Sequence, residues 1–202
     1  MYRPADEVGG DFFQVMELGD GEVLVVVGDV SGKGLKAAMV VSLRVGAIRA
    51  HAGLQPGALL GELNRAIGGS MRGGFVTCVA ARFAADGSGW IANAGHLMPY
   101  CDGQELAMES GLPLGVMRDA AYGEERVGPG AYVFVSDGVV EAANASGELF
   151  GFARTAALSR SGAKEIARAA ERWGQNDDIT VVTVRRSAAC QPIESAAAGT
   201  AT

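Results

Sequence analysis

Residues 12–28 read FFQVMELGDGEVLVVVG, two apolar runs of strand length (12–18 and 22–28) on either side of Gly19-Asp20-Gly21. A glycine-rich three-residue connection between such runs specifies a β-hairpin. If the turn centres on Asp20, facing residues carry numbers that sum to about 40. Leu18 then faces Glu22, and Asp11 faces Asp29. Directly opposed residues of antiparallel strands lie about 4.5–5.5 Å apart at Cα, so this register sets two carboxylates side by side. At neutral pH they repel unless one is protonated or a cation lies between them. Aspartate is also a common turn former at strand ends, and the pair alone leaves both readings open.

The second strand runs on into VVGDVSGKGLKAAM (26–39). A lysine in a glycine turn before a helix invites comparison with the phosphate-binding loop G-x-x-x-x-G-K-[ST]. The position five before Gly32 is Val27, and Lys33 is followed by Gly34, so two fixed positions fail. Lys33 reads first as a solvated charge, as most lysines are, with a contact to a substrate phosphate as the alternative. The informative residue of the loop is Asp29, at the tip of a strand.

Further along, the composition of 34–51 predicts a buried helix, and a second helix is expected to begin near Pro56, a residue tolerated in a first turn. Strands follow at 75–83 and 90–94. An Asp102-Gly103 turn then joins strands at 96–101 and 104–108, the strongest short hairpin signal in the chain. YVFVS (132–136) is another strand, 152–173 reads as one or two helices, and ITVVTV (179–184) is a final buried strand. This order sustains no βαβ alternation, which argues against a parallel doubly wound sheet. An α+β fold with two antiparallel sheets packed face to face and helices outside fits better. Residues 1–186 read as one domain, and the Ala-rich segment 187–202 as a disordered tail.

The strands bring more acid to the same place. Asp137 follows YVFVS as Asp29 follows its own strand, while Asp177 and Asp178 precede the last one. Antiparallel neighbours set the start of one strand beside the end of another, so Asp11, Asp29, Asp137 and Asp177 can share one sheet edge. Four or five oxygen donors without His or Cys describe a site for Mg²⁺ or Mn²⁺. Two histidines and three cysteines without metal-like spacing argue against a zinc centre. The cysteines read as thiols in a reducing, cytoplasmic location. A net charge of −6 argues against nucleic acid as a partner. No apolar run approaches the roughly 18 residues of a membrane span, and MYRPADEVGG contains no signal-peptide core. His96, Asn93 and Glu141 read as structural residues, His96 making hydrogen bonds at a strand end.

These residues lie in blocks whose order and spacing are specific: RPADEVGGDFF (3–13), GDVSGKGLKAAM (28–39), FVTCVAARF (75–83), NAGHLMPY (93–100), GLPLGV (111–116), VSDGVVEAANASGELFG (135–151) and QNDDITVV (175–182). Together they resemble the metal-dependent PPM-type (type 2C-like) protein phosphatases, in their bacterial SpoIIE/RsbU-like branch. The resemblance implies an αββα sandwich carrying two Mn²⁺ or Mg²⁺ ions at one end of the sheets. Asp29 would bridge the metals and the water they activate, with the Val30 carbonyl on one of them. Asp11 would serve one metal, Asp137 and Asp177 the other, and Asp178 is the less certain ligand. It implies hydrolysis of phosphoserine or phosphothreonine on a signalling protein, by resemblance a STAS-type anti-anti-sigma factor, and homodimers, which are common in the branch. The first strand is expected to be shortened or to have lost an upstream piece, and the helices between Gly151 and Asp177 to be reduced. Two rival readings are a catalytically silent partner-binding domain and, from VGGDFF, a two-metal nucleotide cyclase. The cyclase signature sits in a hairpin turn with an acid after the Asp, whereas here Phe12 follows Asp11 and the GGD precedes a strand.

Overall fold

A computed structural model describes residues 1–5, 9–31, 46–67 and 74–187. The opening hairpin forms in the expected register. Strand β2 (Asp11–Glu17) pairs antiparallel with β3 (Val23–Val30), with Asp11 opposite Asp29. The turn closes through the Leu18 amide donating to the Glu22 carbonyl at 2.8 Å, and Asp20 takes the left-handed conformation at φ 60°.

Around this hairpin the chain builds two five-stranded sheets in which all strand pairs are antiparallel. One has the order β2-β3-β4-β5-β8, adding β4 (Val76–Phe83), β5 (Gly89–Ala94) and β8 (Glu125–Val127). The other has the order β1-β10-β9-β6-β7, from β1 (Tyr2–Arg3), β6 (Tyr100–Cys101), β7 (Gln104–Glu105), β9 (Gly130–Val135) and β10 (Ile179–Arg186). Side chains alternate across each strand with a period of two, and here both faces of the central strands are covered. Val25, Val27, Phe83 and Ile91 of the first sheet meet Tyr132, Phe134 and Val182 of the second. The alternate residues Leu24, Val26 and Ala80 pack outward against Leu59, Leu60 and Leu63 of helix α1 (Pro56–Ile67). Burial on both faces explains why β3 reads as the unbroken run VLVVV instead of an alternating one.

The second sheet is covered likewise. Val133, Val135 and Val181 pack against Ile166, Ala167 and Ala170 of helix α4 (Ala163–Gly174). Two shorter helices precede it: the single turn α2 (Asp137–Val140) and α3 (Gly151–Leu158). The 152–173 segment is therefore two helices, parted at Ser159–Gly162. The layers are helix, sheet, sheet, helix, the αββα sandwich.

The structure differs from the sequence reading in one strand pair. The Asp102-Gly103 turn forms with positive φ at both residues, 49° and 86°, as a two-residue hairpin turn requires. Only Tyr100–Cys101 and Gln104–Glu105 pair across it, instead of the longer strands expected at 96–101 and 104–108. His96 is held out of the ladder because the Asn93 side chain takes both its main-chain groups, and Pro99 has no N–H to give. Of the helix expected over 34–51, residues 46–50 are helical and 34–45 lie outside the described residues, as does 188–202 of the expected tail. Among the described residues no helix is long and apolar enough to cross a membrane.

Candidate metal centre

The hairpin register brings Asp11 and Asp29 together at one end of the first sheet. The second sheet delivers its own acids to the same place. β9 and β10 pair with numbers summing to 316, as in Val135 opposite Val181, and the Ser136 amide extends the ladder by donating to the Thr180 carbonyl at 3.0 Å. Asp137 therefore leaves β9 where Asp177 and Asp178 enter β10. Asp11, Asp29 and Asp137 each offer a carboxylate oxygen, and these oxygens all lie within 4.8 Å of one another. Asp177 stands close enough to push up the pKa of Asp29, Asp137 and Glu141.

Asp178 does something else. Its Oδ1 accepts the Ala5 amide at 2.9 Å and its Oδ2 accepts the Asp11 amide at 3.4 Å. The Tyr2 hydroxyl adds a further hydrogen bond, and burial together with this acidic company pushes the phenol up to about 12. The backbone closes tightly around this carboxylate. A Cβ at Gly9 would lie 1.7 Å from Asp178 Oδ2, and one at Gly138 would lie 2.0 Å from the Asp178 carbonyl oxygen. No side chain other than hydrogen fits at either glycine without moving Asp178. The residue thus ties the amino-terminal segment and Asp11 to the start of β10.

The electrostatics follow from burial and crowding. Asp11 is 7% exposed, and burial pushes its carboxyl up to about 8 against the opposing hydroxyls of Thr180 and Ser136, with Asp29 and Asp178 adding to the rise. Burial, then Asp137 and Asp177, push Asp29 up to about 6. Asp137 is raised for the same reasons, burial first and Asp177 next. One oxygen of Asp11, Oδ2, is buried without a hydrogen-bond partner. A buried oxygen left unpaired among carboxylates that resist ionisation fits a cation as the missing partner. The donors are all hard oxygens and the three-residue cluster has neither His nor Cys, which suits Mg²⁺ or Mn²⁺.

Of the remaining sequence candidates, Val30 is buried directly after Asp29, its amide donating to the Gly10 carbonyl at 3.2 Å, and Lys33 lies outside the described residues. Gly9 and Gly10 precede a strand, as the departure from the cyclase signature requires. The sequence reading missed Tyr2, Ser136 and Thr180, which surround Asp11 and Asp178. A signal for two of them was present, since Ser136 and Thr180 are hydroxyls at the ends of apolar runs and face each other in the 316 register. Nothing in the sequence marked Tyr2.

The Stage II sporulation protein E (SpoIIE) family matches residues 19–187. No curated protein matches the sequence. Among solved structures, the chain is similar to the RsbU and RsbW domains of a Mycobacterium tuberculosis protein, with 25% identity and a TM-score of 0.73, over 91% of this chain and 57% of that one. It thus spans little more than half of that longer chain. It is similar also to the SiaA-PP2C domain of Pseudomonas aeruginosa, with 25% identity and a TM-score of 0.77, over 92% of this chain and 84% of that one. RsbX in complex with magnesium shares the fold, with 13% identity and a TM-score of 0.70 over 91% of each chain. With most of its length matched by one family, and its sandwich shared with a PP2C domain, the chain belongs to the SpoIIE family.

Proposed function

We propose that this chain is a metal-dependent protein serine/threonine phosphatase working with two Mn²⁺ or Mg²⁺ ions, its phosphatase domain running over residues 1–186. The observation that carries the reading is the convergence of Asp11, Asp29 and Asp137 from two different sheets. Asp29 is central to it: it stands where it would serve both ions, with the attacking water beside it. The Val30 carbonyl and Asp11 would hold one ion, and Asp137 and Asp177 the other. Asp178 is assigned a positioning role instead of a ligand role, because both its oxygens already accept main-chain N–H groups. Bound cations of this kind lower the pKa of a water and draw charge from phosphoryl oxygens.

The chain's own contribution is to hold carboxylates ready in a buried, crowded place. Asp11 is fixed through its amide by Asp178, and the Ser136 and Thr180 hydroxyls lie close to its carboxylate. Asp29 is fixed by pairing on both sides, to Asp11 and to Thr77. Water is the nucleophile, so no phospho-enzyme is formed. For the substrate we favour a phosphorylated STAS-type anti-anti-sigma factor; an RsbU domain occurs beside an RsbW domain in one similar structure, which supports a regulatory setting of this kind. The test is phosphate release from such a phosphoprotein with Mn²⁺. Release that stops with chelator and in Asp29→Asn is expected. Equal release by both proteins, or release indifferent to chelator, would overturn the proposal.

A further inference from the structure

The proposed chemistry leaves the NAGH motif unused, and the surroundings of its His96 are unusual. The residue follows β5, is 6% exposed, and has its main chain clamped by Asn93, whose Oδ1 accepts the His96 amide at 2.8 Å and whose Nδ2 donates to the His96 carbonyl at 2.9 Å. Its ring Nδ1 lies 2.9 Å from Thr77 Oγ1. Thr77 is the β4 residue directly opposite Asp29. The other polar group acting on the ring is the main-chain carbonyl of Val135, the last residue of β9 and two residues before Asp137. Nε2 is buried with no hydrogen-bond partner.

β4 and β9 belong to different sheets. We infer that His96 is a positioning residue of the metal centre, a strut between the Asp29 strand's neighbour and the Asp137 strand that sets the distance between carboxylates contributed by separate sheets. Side-chain packing alone fixes the sheets near their usual separation of about 10 Å. Two aspartates on separate sheets need finer control, and a rigid, buried ring hydrogen-bonded to Thr77 and within reach of the Val135 carbonyl supplies it. Burial holds the imidazole down to about 4, so at neutral pH the ring is uncharged, which suits a positioning role better than a general acid's. Groups that orient ligands from outside the coordination shell are typically worth about 10–100-fold in metal affinity.

The inference rests on the metal-centre reading, and the test separates the two. Mn²⁺ affinity is measured by titration calorimetry on the whole chain for wild type, Thr77→Val, His96→Phe and the double variant, with thermal melts and circular dichroism alongside. Thr77→Val keeps shape and His96→Phe keeps ring volume, so at least one variant is expected to fold. Each single change is expected to weaken Mn²⁺ binding about tenfold, and the double variant no further, because both remove the same bridge. At saturating Mn²⁺ the KM for phosphoprotein is expected to be unchanged. A lower melting temperature with unaltered Mn²⁺ affinity would reduce His96 to a packing residue and overturn the inference, as would losses that multiply to about a hundredfold. If His96→Phe fails to fold, Thr77→Val alone decides. Wild type that binds no Mn²⁺ would sink the metal centre itself, and the strut with it.

Discussion

Replacing Asp11 by Asn should make the metal-free protein more stable, which is the reverse of what deleting a buried, hydrogen-bonded group usually does. Burial pushes the Asp11 carboxyl from the ordinary 3.8 to about 8. The folded chain therefore holds a proton there that the unfolded chain releases near pH 4. Between about pH 4 and pH 8 the native state binds more protons, so its stability falls as pH rises, and the penalty is complete above about 8. The rise is about four pH units at roughly 1.4 kcal/mol each, which sets an upper limit of roughly 6 kcal/mol at pH 8. Asp29 and Asp178 contribute to that repulsion, and they relax once Asp11 is charged. We expect about 2–4 kcal/mol to be regained in Asp11→Asn at pH 8, since the Ser136 and Thr180 hydroxyls can turn to accept from the amide. Urea unfolding in chelator at pH 5 and pH 8 measures this. At pH 5 the two proteins should differ by less than about 1 kcal/mol. Added Mn²⁺ should reverse the order by stabilising wild type alone. An Asp11→Asn protein no more stable than wild type at pH 8 in chelator would refute the reasoning.

The same protonation makes metal uptake a proton-releasing step. At pH 7 Mn²⁺ binding should expel about one proton, read as a dependence of calorimetric heat on buffer ionisation enthalpy, and affinity should fall as pH drops below about 8. Asp29→Asn and Asp137→Asn should each lower phosphate release by roughly a thousandfold while leaving circular dichroism native. Asp178→Ala should cost about 2–4 kcal/mol in urea unfolding, through loss of two charge-assisted hydrogen bonds from Ala5 and Asp11. Away from the site, Arg82 binds Glu22 and the carbonyls of Gly53 and Leu54. Arg82→Ala should lower stability by about 2–3 kcal/mol without altering Mn²⁺ affinity.

Much of this arrangement could be read ahead of the structure because hairpin arithmetic is strict. Once the turn centres on Asp20, the three-residue connection leaves one register, and Asp11 faces Asp29. Strand polarity allowed Asp137 to join them, but on one sheet edge, whereas the structure draws these acids from two sheets because β9 and β10 pair apart from β2 and β3. What the sequence did not carry was direction at a strand entrance. Asp177 and Asp178 are neighbours, and adjacent residues of an extended chain point to opposite sides. The phase is set by whichever amides reach one of them, here those of Ala5 and Asp11. Residues 96–98 were read as strand for a related reason: an apolar, turn-flanked pattern says nothing of a side chain such as Asn93 that takes the main-chain groups first. Tyr2 escaped notice because its role depends on a two-residue strand pairing with the far end of the chain.

That pairing has a consequence for how the protein comes into being. Tyr2 lies opposite Thr180, and the Asp11 amide meets a carboxylate 167 residues later in the chain. A chain emerging from the ribosome therefore carries Asp11 and Asp29 for most of its synthesis with neither Asp137's companions nor the Asp178 anchor beside them. Long-range closures of this kind come late in folding. Until the last strand docks, Asp177 and the Asp178 anchor are missing from the acids already made. The acid cluster and its anchor are thus complete only when both ends of the chain have met across the sandwich.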